Sequence, residues 1–135
     1  MLRSALLLLV AVFSSVAVAA PVPKPGKAQL VVVTVDDKSN KSRLVLIDAD
    51  GQNPKELTDT KSNASYPAWS PDGKKIAFSS DREGGRMQVF VMDADGTNVK
   101  QLTAEAQDAR VPSWSPDGKK LAYCRRSQFG GSDVV

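Results

Sequence analysis

The 135-residue chain contains no histidine. Ser-His-Asp and Cys-His nucleophiles, imidazole-ligated metals and a histidine general base are therefore excluded. Carboxylates are the next chemistry to weigh. Asp72 and Asp117 stand 45 residues apart in identical Ser-Pro-Asp-Gly surroundings, and a carboxylate pair is what glycoside hydrolysis requires. The Pro before and the Gly after each one place them instead in tight turns, where Asp bonds nearby backbone. Asp48-Ala49-Asp50-Gly51 and its copy Asp93-Ala94-Asp95-Gly96 open as a calcium loop opens. Neither supplies the remaining oxygen ligands, including the Glu at the twelfth position, and a hairpin turn with Gly at positive φ accounts for both.

Cys124 is the only cysteine, so the chain forms no internal disulfide. Arg125 and Arg126 beside it would favour a reactive thiolate. Its alignment with Ser79 across the 45-residue shift favours a small packed residue. Trp69 and Trp114 offer platforms on which a sugar or base stacks, but their equivalent placement in successive repeats points to packing between those repeats. No Ser sits in a Gly-x-Ser-x-Gly elbow and no glycine-rich phosphate loop leads a strand into a helix. Asn40-Lys41-Ser42 and Asn63-Ala64-Ser65 match the glycosylation pattern. No catalytic residue, metal site or cofactor is expected.

The elements that carry these residues repeat. Ser70-Pro71-Asp72-Gly73 matches type I turn preferences position by position, and residues 66–81 around it read as a β-hairpin. Residues 111–123 copy it, and Leu57-Thr58 returns as Leu102-Thr103 at the same 45-residue offset. That shift also lays residues 31–36 on residues 76–81. A period of this length, built from short strands and glycine turns, is the mark of propeller blades. The expected fold is all-β: a partial β-propeller of about two to three four-stranded antiparallel blades with a 45-residue period. Strands are expected at 30–35, 43–48, 55–58, 66–69, 75–80, 87–93 and 99–103, with no helix after the leader. Val89-Phe90-Val91-Met92 is apolar on both faces, as suits a sheet between two others.

The amino terminus has another character. Met1-Leu2-Arg3 and the apolar run after it form a secretory signal peptide, residues 1–19, with cleavage expected after Ala19 in the small-x-small pattern Ala17-Val18-Ala19. The run is too short to span a bilayer, so no membrane span is expected once it is removed. Residues 20–29 are a stiff proline-rich leader, standing where the period asks for an innermost strand and containing neither that strand nor its turn. The repeats occupy 30–135 as three strands, then four, then two and a stub. So short an array leaves end faces uncovered, with Phe78, Phe90 or Tyr123 expected there. A truncated product or fragment is the first expectation, and self-association that completes the ring the second. Removing Arg3 takes the net charge from +3 to +2, and such a mixed surface gives no reason to expect nucleic acid.

Residues 66–78, Ser80-Asp81-Arg82, Val91-Met92-Asp93-Ala94-Asp95-Gly96 and Leu102-Thr103 together resemble the TolB-type (WD-like) propeller repeat. The resemblance covers almost all of the chain after residue 29. It implies a non-catalytic, periplasmic or secreted scaffold for protein–protein interaction in the cell envelope, since the family's best known member is a six-bladed propeller that works with a peptidoglycan-associated lipoprotein. Similar repeats also precede the catalytic domain of some serine peptidases, so the alternative is the propeller piece of a larger hydrolase. The two full copies agree at their turns and differ at the opposite loops, 59–65 against 104–110 and 82–86 against 126–131. Loops on a rigid scaffold are where recognition concentrates. Arg82, Arg86, Arg110 and Arg126 lie in those loops, and their forked donors suit a partner that presents carboxylates.

Overall fold

The computed structural model describes residues 28–126 and 131–135. The expected signal peptide and most of the expected leader lie outside them. Every regular element among the described residues is a strand, in three antiparallel sheets whose strands follow one another in chain order. The first sheet holds β1 (Gln29–Val35), β2 (Ser42–Asp48) and β3 (Lys55–Glu56). The second holds β4 (Ala64–Trp69), β5 (Lys75–Ser80), β6 (Gln88–Asp93) and β7 (Lys100–Gln101). The third holds β8 (Ala109–Trp114), β9 (Leu121–Arg126) and β10 (Ser132–Val134). Each sheet is one blade. The expected stub is a paired strand, with Val134 opposite Cys124 as Val89 is opposite Ser79.

Two details depart from the repeat as read. In the second blade Ile76 faces Met92, whereas in the first Val31 faces Leu46 and Leu30 faces Ile47. Likewise Ala49 bonds the carbonyl of Ala28 where its copy Ala94 bonds that of Lys74. The first hairpin loop is one residue shorter, so β1 matches β5 at a shift of 46, and Leu30 rather than Val31 is the counterpart of Ile76. A one-residue slip moves every side chain to the other face. The outer strands β3 and β7 are also shorter than expected. The hydroxyls of Thr58 and Thr103 accept the N–H groups of Leu44 and Val89, each at 2.9 Å, in place of a ladder carbonyl.

The core lies between blades. Leu44, Leu46 and Leu57 of the first blade meet Ile76, Phe78, Phe90 and Met92 of the second, with Val31 and Trp69 packed alongside. The Phe78 and Phe90 rings stack at 5.7 Å. Both are buried, at 0% and 2% exposure, which corrects the expectation that they lie on an uncovered face. They point to the first blade and are covered by it. On the opposite face of the second blade Ala77, Ser79 and Val89 are buried, and the Val111 N–H of β8 bonds the Ser79 hydroxyl at 3.2 Å. Tyr123 is half-buried, its hydroxyl bonded to Glu105. Large apolar exposure falls elsewhere, at Val134 on β10 and at Leu30, Val33 and Val35 on β1.

Candidate protein-interaction site

The loops sort onto two rims. On one, Ser70 N–H bonds the Lys75 carbonyl, the Gly73 N–H closes the turn onto Ser70, and the Ser70 hydroxyl donates to Asp72 Oδ1 at 2.6 Å while accepting the Lys75 N–H. Ser115, Asp117, Gly118 and Lys120 repeat every one of these bonds. The Ser70 hydroxyl holds the Asp72 carboxyl below its ordinary value, and the Ser115 hydroxyl does the same for Asp117. Gly73 and Gly118 take φ of 65° and 68°, as the turn requires. In the Asp-Ala-Asp-Gly turns, Asn53 Nδ2 donates to Asp48 and Asn98 Nδ2 to Asp93, both at 2.7 Å, with φ near 50° at each Asn. The acidic side chains of this rim are committed to building turns.

The opposite rim is stitched across the blades. Asn63, in the linker from the first blade to the second, accepts the Ser42 N–H at 3.2 Å and gives both its own N–H and its side-chain amide to Asp81 at 2.7 Å. Its counterpart Asp108 accepts the Met87 N–H at 3.1 Å, and its carbonyl accepts the Arg126 N–H. Gln88, buried, spans the same linker, accepting from the Thr103 hydroxyl and the Glu105 N–H and donating to the Glu105 and Gln107 carbonyls. Between the linkers lies a cleft of about 340 Å³ lined by Ser42, Asn63, Ser65, Tyr66, Asp81, Gly85, Met87, Asp108 and Arg110. Tyr66 and Val111 sit where β4 and β8 bulge, at φ of 52° and 56°. That is a strained state for any residue but glycine, and most of all for a β-branched one.

The four arginines share this rim but not one environment. The Arg82 guanidinium lies 5.4 Å over the Phe78 ring and 5.6 Å over that of Phe90, and its Nε donates to the Ser80 hydroxyl. It caps the core. Arg110 enters the cleft, paired with Asp108 at 2.8 Å. Burial works against the Asp108 carboxylate, but the Arg110 bond and the Met87 N–H outweigh it and hold the group below its ordinary value. Arg86 and Arg126 are exposed. The latch roles of Asp108 and Gln88 have no motif in the sequence, and Asn63, legible there only as part of a glycosylation pattern, is instead a structural latch. The identical pairs Asn53/Asn98 and Thr58/Thr103 carried the signal in their 45-residue spacing, while Asn63/Asp108 hid behind a change of residue type.

Three sheets that each follow the chain and pack in succession, with the Ser-Pro-Asp-Gly turn repeated in the second and third and the Asp-Ala-Asp-Gly turn in the first and second, define a β-propeller repeat protein. The match to known families is consistent throughout: the model described as the TolB beta propeller domain covers residues 2–134, and the chain belongs to that family. Among curated proteins it is 46% identical over 63 residues to dipeptidyl-peptidase 5 of Porphyromonas gingivalis, a match spanning 44% of this chain and 9% of that one. It is 38% identical over 60 residues to the Tol-Pal system protein TolB of Alkalilimnicola ehrlichii, over 43% of this chain and 14% of that protein. The crystal structure of TolB from Acinetobacter baumannii superposes at a TM-score of 0.68 and 27% identity, over 78% of this chain and 27% of that chain. The chain thus spans a small part of the relatives it matches.

Proposed function

We propose that the protein is a non-catalytic, exported propeller segment that binds another protein of the cell envelope through the rim of variable loops. One observation carries the reading. The turn rim spends its acidic side chains on identical bonds in both copies, whereas the loop rim presents a cleft, strained backbone at Tyr66 and Val111, and exposed Arg86 and Arg126. Strain of this kind persists where the surrounding structure enforces it, and it concentrates at recognition sites. Arg86 and Arg126 favour a partner that presents carboxylates, and Arg110 contributes less because Asp108 already occupies it. The likeness to the TolB family makes a peptidoglycan-associated lipoprotein the first partner to try, and it supports a periplasmic location as part of the same reading.

Calorimetric titration of the purified chain with such a lipoprotein is the test. Saturable binding is expected, and its absence across a panel of envelope lipoproteins rejects the reading.

A second reading rests on the dipeptidyl-peptidase 5 match: a propeller portion of a larger peptidase. With no histidine in the chain, the hydrolytic residues would lie in another domain. The genomic sequence after the last codon separates the two readings. A Ser-Asp-His hydrolase region in frame supports the second, and further Ser-Pro-Asp-Gly repeats followed by a stop support the first.

A further inference from the structure

The cleft on the loop rim has a lining that the exposed arginines do not account for. Its two carboxylates are already matched in charge. Lys41 Nζ stands 4.0 Å from Asp81, and Arg110 pairs with Asp108 at 2.8 Å. Neutral donors also hold both in place. The Asn63 N–H and side-chain amide each reach one oxygen of Asp81, and the Met87 N–H reaches Asp108. A carboxylate oxygen offers two acceptor sites, and each of these four oxygens takes one hydrogen bond from a described residue. Beside them stand the hydroxyls of Ser42, Ser65 and Tyr66, half-buried or exposed, none bonded to another described residue. The Tyr66 side chain is 44% exposed, on backbone whose φ of 52° is costly for any residue with a Cβ.

Fixed acceptors, hydroxyls that donate or accept, an exposed aromatic ring and no unmatched charge select one chemistry. An anionic ligand would find Arg110 already occupied, and a cationic one would have to displace Lys41 or Arg110. A sugar meets all four features. Its hydroxyls donate to carboxylates while accepting from serine and tyrosine hydroxyls, and its apolar C–H face stacks on an aromatic ring. We propose that this cleft binds a short neutral carbohydrate chain, with Asp81 and Asp108 accepting from sugar hydroxyls and Tyr66 as the stacking platform. The two tryptophans are committed elsewhere, Trp69 against the core and Trp114 to the seam with Ala68. At about 340 Å³ the cleft lies at the small end of ligand pockets, which suits the end of a chain rather than its whole length. The inference goes beyond the protein-binding reading and rests on neither Arg86 nor Arg126.

Calorimetric titration of the chain with chitotetraose, cellotetraose and maltotetraose tests this. At least one is expected to bind saturably, with a Kd below about 1 mM. With every charge in the cleft matched, that Kd should change by less than about twofold between roughly 50 and 500 mM NaCl. Tyr66→Gly suits the positive φ and removes the ring, so Tm should hold or rise while affinity falls about tenfold or more. Val111→Gly makes the same backbone change at the counterpart outside the cleft and should leave affinity within about twofold. Asp108→Asn keeps an acceptor for the Met87 N–H and loses a carboxylate oxygen, so affinity should fall about fivefold or more. Arg86→Glu with Arg126→Glu should leave the sugar titration unchanged, which separates failure here from failure of the protein-binding reading. Three results would overturn the proposal: no binding of any of the three up to about 10 mM; binding that survives both Tyr66→Gly and Asp108→Asn; or affinity that collapses with salt or with the arginine pair, which makes surface charge the attraction.

Discussion

The Trp114 indole N–H reaches across the seam between the second and third blades to the Ala68 carbonyl, at 3.1 Å. The ring fills the inter-blade space and the single polar atom fixes its rotation. Trp114→Phe keeps most of the packing and loses the bond, so a cost of about 1 kcal/mol is expected, read as a drop in Tm of roughly 4 °C.

Phe78 sets the scale for the apolar seam. It is fully buried between Phe90 and the leucines of the first blade. Phe78→Ala should cost about 3–5 kcal/mol, lowering the urea midpoint with little change in slope. The cation above the ring adds less, so Arg82→Met should cost under about 1 kcal/mol.

The inter-blade latch predicts a contrast at one position. Asp108 accepts the Met87 N–H just as Asn63 accepts that of Ser42. Asp108→Asn keeps the acceptor and loses only a partly exposed ion pair, for a change of about 0.5 kcal/mol or less. Asp108→Ala strands a half-buried donor and should cost about 1–3 kcal/mol. Equal losses in chemical denaturation would show that charge, not the backbone bond, is what matters there.

Stability should respond to acid. Asp72, Asp93, Asp108 and Asp117 are all held below the ordinary carboxyl value of 3.8, Asp72 and Asp117 chiefly by a serine hydroxyl and Asp93 by the Asn98 amide. A carboxyl that is more acidic folded than unfolded favours the fold above its unfolded value, and that contribution disappears as pH falls through the folded value. Thermal midpoints should be level above pH ~5 and fall steadily below pH ~4. Asp108→Asn should flatten part of that fall. A midpoint independent of pH down to about 2 would contradict the assigned bonds.

The fold was legible because its turns are written out twice. Ser-Pro-Asp-Gly and Asp-Ala-Asp-Gly dictate local backbone with no help from the rest of the chain, and their spacing gave the blades. The register of β1 was not legible, since a run of valines reads equally well in either of two phases and only pairing with Leu44 and Leu46 settles it. The burial of Phe78 and Phe90 depended on which face the first blade covers, a tertiary fact. On the rim, the arginines were visible as a set. Their separation into a core cap, an ion pair and two exposed cations follows from neighbours far along the chain: Phe90 for Arg82, and the linker residue Asp108 for Arg110.

Binding to the loop rim is tested most directly by reversing charge on each rim in turn. Arg86→Glu with Arg126→Glu alters exposed residues of the loop rim and leaves the Arg82 cap and the Arg110 pair in place, while Lys74→Glu with Lys119→Glu makes the same change beside the tight turns. With a purified peptidoglycan-associated lipoprotein as titrant, the arginine pair is predicted to raise Kd by about tenfold or more and the lysine pair by less than about twofold. Loss of affinity from the lysine pair with none from the arginine pair would contradict the account and move the site to the turn rim.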